Sequence, residues 1–144
     1  MTAGCATGPA PSAAGPGSSP AAAPDTAPSA DGDAAVWDLA PGQTLTASST
    51  RFTALVSRLG CNDGVTGQVL TPQLRLSESE IVVTFSVAPK QTGAASCPGN
   101  NQVPYEVDLG TPLRNRVLSD GRCLPGEAAA TTAFCIDGAT RFRP

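Results

Sequence analysis

The chain of 144 residues contains no histidine, and this absence removes the usual base of serine and cysteine hydrolases. Such enzymes pair their nucleophile with a base within hydrogen-bond reach, most often histidine. The single lysine, Lys90, is the remaining candidate base, with Ser86 or Ser96 as its nucleophile. Because Lys90 follows Pro89 at the end of a predicted strand, an exposed solubilising lysine is the favoured interpretation. We therefore predict a protein without enzymatic activity.

Cofactor sites also lack their usual residues. Transition-metal carriage draws on histidine and methionine, and the single methionine is Met1. Structural zinc needs paired ligands two to four residues apart, whereas no two cysteines are that close. There is no glycine cluster of the nucleotide-binding kind, and no apolar run approaches the roughly 18 residues of a membrane span. We expect no cofactor and no membrane-spanning segment.

The net charge of −3 is confined to the N-terminal part of the chain. Residues 6–35 contain three aspartates and no lysine or arginine, while residues 36–144 hold nine acidic and nine basic side chains. A neutral domain lacks the basic surface that neutralises phosphates. Nucleic acid is therefore not an expected partner.

Residues 6–35 contain no Leu, Ile, Val, Met or aromatic residue, and proline recurs throughout them. Such a segment cannot bury enough apolar surface to offset the entropy lost on ordering it. We predict a disordered tether over residues 1–35 and a folded domain over residues 36–144.

Thr2, Ala3 and Gly4 precede Cys5 at the start of this tether. The arrangement resembles the end of a bacterial lipoprotein signal, although Thr2 stands where that pattern usually has an aliphatic residue. The resemblance implies that Cys5 is acylated and anchors the protein to the outer face of a cell membrane. A protein held in this way, or secreted, is extracytoplasmic.

The other four cysteines form an even set, and four cysteines allow three disulfide connectivities. We predict the pairs Cys61–Cys97 and Cys123–Cys135, since each would close a loop between neighbouring predicted strands. Two disulfides require an oxidising, extracytoplasmic compartment.

Apolar residues alternate with polar ones along several short runs, which is typical of strands with one buried face. The clearest run is 81–87, and a polar link at 78–80 joins it to the run 73–77 as a predicted hairpin. The domain opens near Val36-Trp37, and further strands are predicted at residues 52–56, 65–70 and 105–109. Short strands separated by Gly, Pro and Asp turns favour an all-β fold, a small disulfide-bonded β-sandwich with immunoglobulin-like or Greek-key connections.

The C-terminal part of the chain carries turn signals. Asp137-Gly138 lies between the runs 134–136 and 139–142, and this dipeptide favours a type I′ hairpin turn. Ser119-Asp120-Gly121 predicts another turn after the run 116–118, and residues 126–130 are predicted to form a loop.

One stretch resembles a recurrent pattern in uncharacterised actinobacterial envelope proteins. It comprises residues 103–110, 112–113 and 116–121. This resemblance implies a location in the cell envelope and transfers no activity to the chain.

Two groups of residues are candidates for function. Glu106 and Asp108 lie two apart on a predicted strand, so they share a face at a separation that glycoside hydrolysis could use. The solvated face of a strand is the favoured interpretation, because the chain has few aromatic residues to line a cleft. The other candidate is a polar loop beside a predicted disulfide, a type of loop that can present a binding surface; it comprises Pro98, Gly99, Asn100 and Asn101.

These observations predict a binding or structural module of the cell envelope whose ligand is an envelope or extracellular protein or glycan. A secreted protease inhibitor is an alternative, since small disulfide-bonded domains hold rigid loops at low entropic cost. An envelope glycoside hydrolase using Glu106 and Asp108 is the less favoured alternative.

Overall fold

The computed structural model describes residues 32–90 and 93–144, and it confirms the all-β class. Cys5 and most of the predicted tether lie outside the described residues. Within them there are seven β-strands and three 3-10 turns but no α-helix, and no helix is long and apolar enough to cross a membrane. The strands are β1 (Asp33–Leu39), β2 (Arg51–Arg58), β3 (Gln73–Leu76), β4 (Glu80–Val87), β5 (Val103–Asp108), β6 (Val117–Asp120) and β7 (Thr140–Phe142).

The strands form a single mixed sheet in the order β5-β2-β1-β4-β6-β7, with β3 on the other edge of β4. Every pair of strands is antiparallel except β4 and β6, which run parallel. The predicted hairpin between β3 and β4 is confirmed. An immunoglobulin-like or Greek-key sandwich stays a prediction.

Strand β4 organises the sheet because two different strands share one of its edges. Strand β6 pairs with its first half, up to Val83, and β1 pairs with its second half, from Phe85 onward. Between these two pairings β1 and β6 diverge. We call this place the fork, and it is bordered by Trp37 of β1, Val83 of β4 and Asp120 of β6.

The main core lies on the face of the sheet that the period-2 pattern predicted. Ile81, Val83, Phe85 and Val87 are fully buried along β4, and each large apolar side chain of this kind stabilises the fold by about 1.5–3 kcal/mol. The indole of Trp37 packs in the same core. Its ring centroid lies 5.1 Å from that of Phe52 and 6.4 Å from that of Phe85, and Tyr105 packs edge-on against Phe85 at 5.3 Å.

The opposite face of β4 is covered by the C-terminal segment. At Gly121 this segment approaches β4 so closely that an added Cβ would lie 1.9 Å from the Thr84 hydroxyl oxygen, so only glycine fits there. A second, smaller core forms on this face; its buried members are Val36, Cys123, Ala129 and Cys135.

The prediction of a hairpin around Asp137-Gly138 is wrong. Ala133–Cys135 forms a 3-10 turn, and β7 pairs with β6 instead. Gly138 does have a positive φ of 87°, but its N–H donates to the carbonyl of Cys135, which continues the turn. The disulfide holds buried Cys135 against the sheet, so this segment cannot extend beside β7.

Four other features differ from expectation. The turn predicted at 119–121 begins only at Gly121, because Ser119 and Asp120 belong to β6. Residues 65–70 form only an isolated bridge, Val69 to Val87, and no strand. A short 3-10 turn, Ala128–Thr131, occupies part of the loop predicted at 126–130. The first strand begins at Asp33, three residues before the expected boundary.

Both disulfides have the predicted pairing, with Cα–Cα distances of 4.6 Å for Cys61–Cys97 and 5.4 Å for Cys123–Cys135.

We expect one reactive thiol per unacylated chain when thiols are counted under denaturing, non-reducing conditions. Replacing both Cys123 and Cys135 by alanine should lower the free energy of unfolding by about 3 kcal/mol, because the bridge restricts the unfolded chain. Five reactive thiols would contradict the presence of the two disulfides. An unchanged denaturation midpoint of the double alanine variant would contradict the stabilising effect of Cys123–Cys135.

Candidate functional site

The loop that was expected to bind a ligand is tied to the protein by its own side chains. The Asn100 amide nitrogen donates to the carbonyls of Arg58 (3.0 Å) and Gly60 (2.7 Å). The Asn101 side-chain oxygen accepts from the backbone N–H of Thr66 at 2.8 Å. The Asn100 amide nitrogen and the Asn101 side-chain oxygen therefore fix the loop to the rest of the domain.

The neighbouring loop around residue 63 is fixed in a similar way. Asp63 accepts hydrogen bonds from the backbone N–H of Ser96 at 2.7 Å and from its hydroxyl at 2.8 Å. These two bonds lower the pKa of the Asp63 carboxyl, with a smaller contribution from the charge of Lys90. Together with Cys61–Cys97 they give this end of the molecule a rigid frame.

A pocket of about 240 Å³ lies between this frame and the loop closed by the second disulfide. Its lining is mainly apolar, and it includes Leu59, the Cys61–Cys97 bridge and the ring of Phe134. Asn100 also lines the pocket, and its buried side-chain oxygen has no hydrogen-bond partner within the part of the chain that the structure describes. The two disulfide-closed loops therefore meet at one concave site.

Two large apolar side chains are exposed on the segment that contributes Phe134 to this pocket. Phe134 is 49% exposed and Ile136 is 80% exposed, on either side of the buried Cys135. We call Phe134, Ile136 and the adjoining pocket the apolar surface. The sequence pattern did not predict the apolar surface, because residues 134–136 were assigned to a hairpin strand. In such a strand the side chains of Phe134 and Ile136 would lie on the same face of the sheet.

Glu106 and Asp108 lie on the exposed side of β5. Both form ion pairs with Arg51, at 3.7 Å and 3.5 Å, and all three side chains are about 60% exposed or more. The two acids also border a groove of about 180 Å³ between β5 and the segment leading into β3. Glycoside hydrolysis uses a general acid prepared by an apolar, shielded environment. Neither carboxylate is shielded in this way.

No hydrogen bond joins Lys90 to Ser86 or Ser96 among the described residues. The Lys90 ammonium donates to the carbonyl of Cys61, Ser86 hydrogen-bonds Arg122, and Ser96 hydrogen-bonds Asp63. Within residues 32–90 and 93–144, no group of three or more His, Cys, Asp or Glu side chains could hold a metal ion.

The most buried ionisable cluster fills the fork. The carboxylate of Asp120 is fully buried and accepts hydrogen bonds from the backbone N–H groups of Trp37 and Arg122, both at 2.9 Å. The Arg141 guanidinium lies 3.3 Å from the same carboxylate and donates to the carbonyl of Trp37. Both backbone groups of Trp37 that point away from β2 are thereby satisfied by side chains.

Further side chains complete the hydrogen bonding along the shared edge of β4. The Trp37 indole N–H donates to the carbonyl of Val83 at 2.9 Å, and Arg122 donates to the carbonyl of Phe85 and to the hydroxyl of Ser86. An unpaired buried N–H or carbonyl costs about 1–3 kcal/mol. The cluster is therefore structural: it replaces the backbone partners that β1 and β6 lose where they separate.

Burial raises the pKa of Asp120 to about 6. The backbone hydrogen bonds from Arg122 and Trp37 and the positive charges of Arg141 and Arg122 partly offset this rise. In the unfolded chain the pKa is the ordinary 3.8. The folded state therefore holds this proton more tightly, and the resulting stabilisation is complete below pH 4 and lost as the pH rises through 6.

We expect the difference in unfolding free energy between the wild type and D120N to fall as the pH rises from 4 to 7. The fall should be on the order of 2–3 kcal/mol. Urea denaturation followed by the fluorescence of Trp37, the single tryptophan, measures it at each pH. A difference that is constant, or that grows with pH, would show that Asp120 does not titrate in this way.

Comparison with known proteins gives no identification of the family. No family model, no curated protein and no solved structure matches this chain. The function is therefore inferred from the residues and geometry of this chain alone.

Proposed function

We propose that this protein is a non-enzymatic binding module of the cell envelope, held at the outer face of a membrane through a lipid on Cys5. The apolar surface binds its partner. The observation that carries this proposal is the exposure of Phe134, which lines an apolar pocket, and of Ile136, which directly follows the disulfide-bonded Cys135. Large apolar side chains on a soluble domain mark interaction sites when they adjoin one another.

The size of the pocket favours a protein partner. A volume of about 240 Å³ lies below the range of roughly 300–1,000 Å³ that small-molecule sites occupy, but it accepts an apolar side chain. Aromatic residues in such positions contribute most of the energy of protein interfaces. An apolar side chain of the partner would enter the pocket while Phe134 and Ile136 pack around it.

The rigidity of the surface favours binding as its role. Cys123–Cys135 holds the loop that carries Phe134 and fixes the residue before Ile136, and Cys61–Cys97 holds the opposite wall of the pocket. A surface fixed before binding loses little conformational entropy when the partner docks.

The two disulfides also support an extracytoplasmic location, because such bonds persist in oxidising compartments. Cys5 itself lies outside the described residues, so its acylation rests on the resemblance of residues 2–5 to a lipoprotein signal. Mass spectrometry of the protein from its native membrane tests this part separately, since acylation of Cys5 adds the mass of its fatty acids.

Protease inhibition through this loop is less favoured. Ile136 has φ −58° and ψ −31° at the end of a 3-10 turn, whereas segments that add to a partner's strand are extended. The loop therefore presents side chains on a compact turn, which suits an apolar contact better than a strand-like one.

The double variant F134S/I136S should lose binding without losing the fold, because both side chains are largely exposed. The full-length chain, immobilised, is incubated with the envelope fraction of the source cells, and the captured proteins are quantified by mass spectrometry. We expect the partner to be depleted on the order of 30-fold or more with the variant, the effect of losing hot-spot contacts.

V65S is the matched control, since Val65 is a large apolar residue that is 52% exposed and does not line the pocket. It should retain the partner at the wild-type level, and circular dichroism should be the same for all three proteins. Equal capture by F134S/I136S and the wild type would refute the apolar surface as the binding site, as would equal loss with V65S.

A further inference from the structure

A second and wider concavity lies at the other end of β4, beside the turn that joins β3 to β4. Its volume is about 490 Å³, and its lining is formed by Leu76, Ser77, Glu78, Arg114 and Arg116. This volume falls within the range of small-molecule sites, in contrast to the pocket of the apolar surface. We call it the arginine cleft.

Arg116 is held in a fixed position in this cleft. Its guanidinium donates to the carbonyls of Leu113 (3.2 Å), Pro112 (2.6 Å) and Ser77 (3.4 Å). Among the described residues no carboxylate lies within 4.0 Å of it. The carbonyls orient the group, but its positive charge has no partner of opposite sign.

Arg114 is exposed, and its guanidinium forms no hydrogen bond or ion pair with any residue that the structure describes. Its backbone is nevertheless fixed, since its N–H donates to the carbonyl of Ala47 at 2.7 Å. The φ angle of 59° lies in the left-handed region, which glycine adopts without strain and arginine does not. The free guanidinium thus projects from a rigid, strained backbone position.

The electrostatics of the cleft favour an anion. Two arginines and one acid, Glu78, line it, which leaves a net charge of +1, and Glu78 forms no ion pair within 4.0 Å. The side chain of Leu76, 44% exposed, adds an apolar wall. The planar guanidinium group matches carboxylate and phosphate oxygens through two parallel hydrogen bonds.

We infer that the arginine cleft binds an organic oxyanion, a carboxylate or a phosphate ester, that carries an apolar group. Arg114 binds the oxyanion directly, Arg116 supplies a second, prepositioned positive charge, and Leu76 contacts the apolar group. This site shares no residue with the apolar surface, so it goes beyond the proposed function and can fail independently of it.

The test uses the full-length protein labelled with 15N and titrated with phenyl phosphate, benzoate or the neutral analogue benzyl alcohol. We expect saturable shifts of the amide signals of residues 76–78 and 114–116 with at least one of the two anions at millimolar concentration, and none with benzyl alcohol. Comparison of the two anions distinguishes phosphate from carboxylate recognition. Added salt should weaken the binding, because the contacts are partly exposed.

The variant R114G separates binding from folding. Glycine relieves the left-handed backbone, so the melting temperature should not fall, while the loss of a bidentate charged contact should weaken anion binding roughly tenfold or more. R143G is the matched control: it removes one exposed positive charge outside the cleft and should bind like the wild type. Unchanged affinity in R114G, equal weakening in R143G, equal binding of benzyl alcohol, or no saturable shift with either anion would each overturn the inference.

Discussion

The hydrogen bond from the backbone N–H of Trp37 to the carboxylate of Asp120 is the interaction on which the rest of the fold depends. One edge of β4 is divided between two strands, and a strand that leaves a sheet exposes backbone groups that must find other partners. Asp120 and Arg141 supply them at Trp37. This arrangement lets β1 turn away to pair with β2 while its indole stays in the main core.

The same cluster explains the position of the C-terminal segment. Arg122 and Arg141 reach the fork from the 3-10 turn Gly121–Cys123 and from β7, so both elements must lie against β4 and β1. Gly121 permits this close approach and the Cys123–Cys135 bridge holds the remainder of the segment in place. As a consequence, Phe134 and Ile136 are presented outward on a loop whose own core is small.

The sequence predicted those features that depend on local pattern. A large apolar residue stands at every second position from Ile81 to Val87, and this pattern predicted the strand and its buried face. The even set of separated cysteines indicated the disulfides. Asp120 could not be assigned in this way. Because Asp120 precedes a glycine, the sequence suggests a turn residue. Its burial results from the register of β6 beside β4 and from the hydrogen bond to Trp37, 83 residues earlier. Phe134 and Ile136 were misassigned for the same reason, because a bridge to Cys123 overrides the local hairpin signal. Nothing in the local sequence marked Arg114, since its left-handed backbone is set by a contact with Ala47.

The fork also connects the first strand to the last strands of the chain. Trp37 lies in the first strand, yet its backbone partners Asp120 and Arg141 are separated from it by 83 and 104 residues. Trp37 therefore lacks these two partners until almost the whole chain is present, although β1 can already pair with β2. A chain that ends before β7 would leave the carbonyl of Trp37 without its Arg141 partner, so the last strand completes the hydrogen bonding of the first.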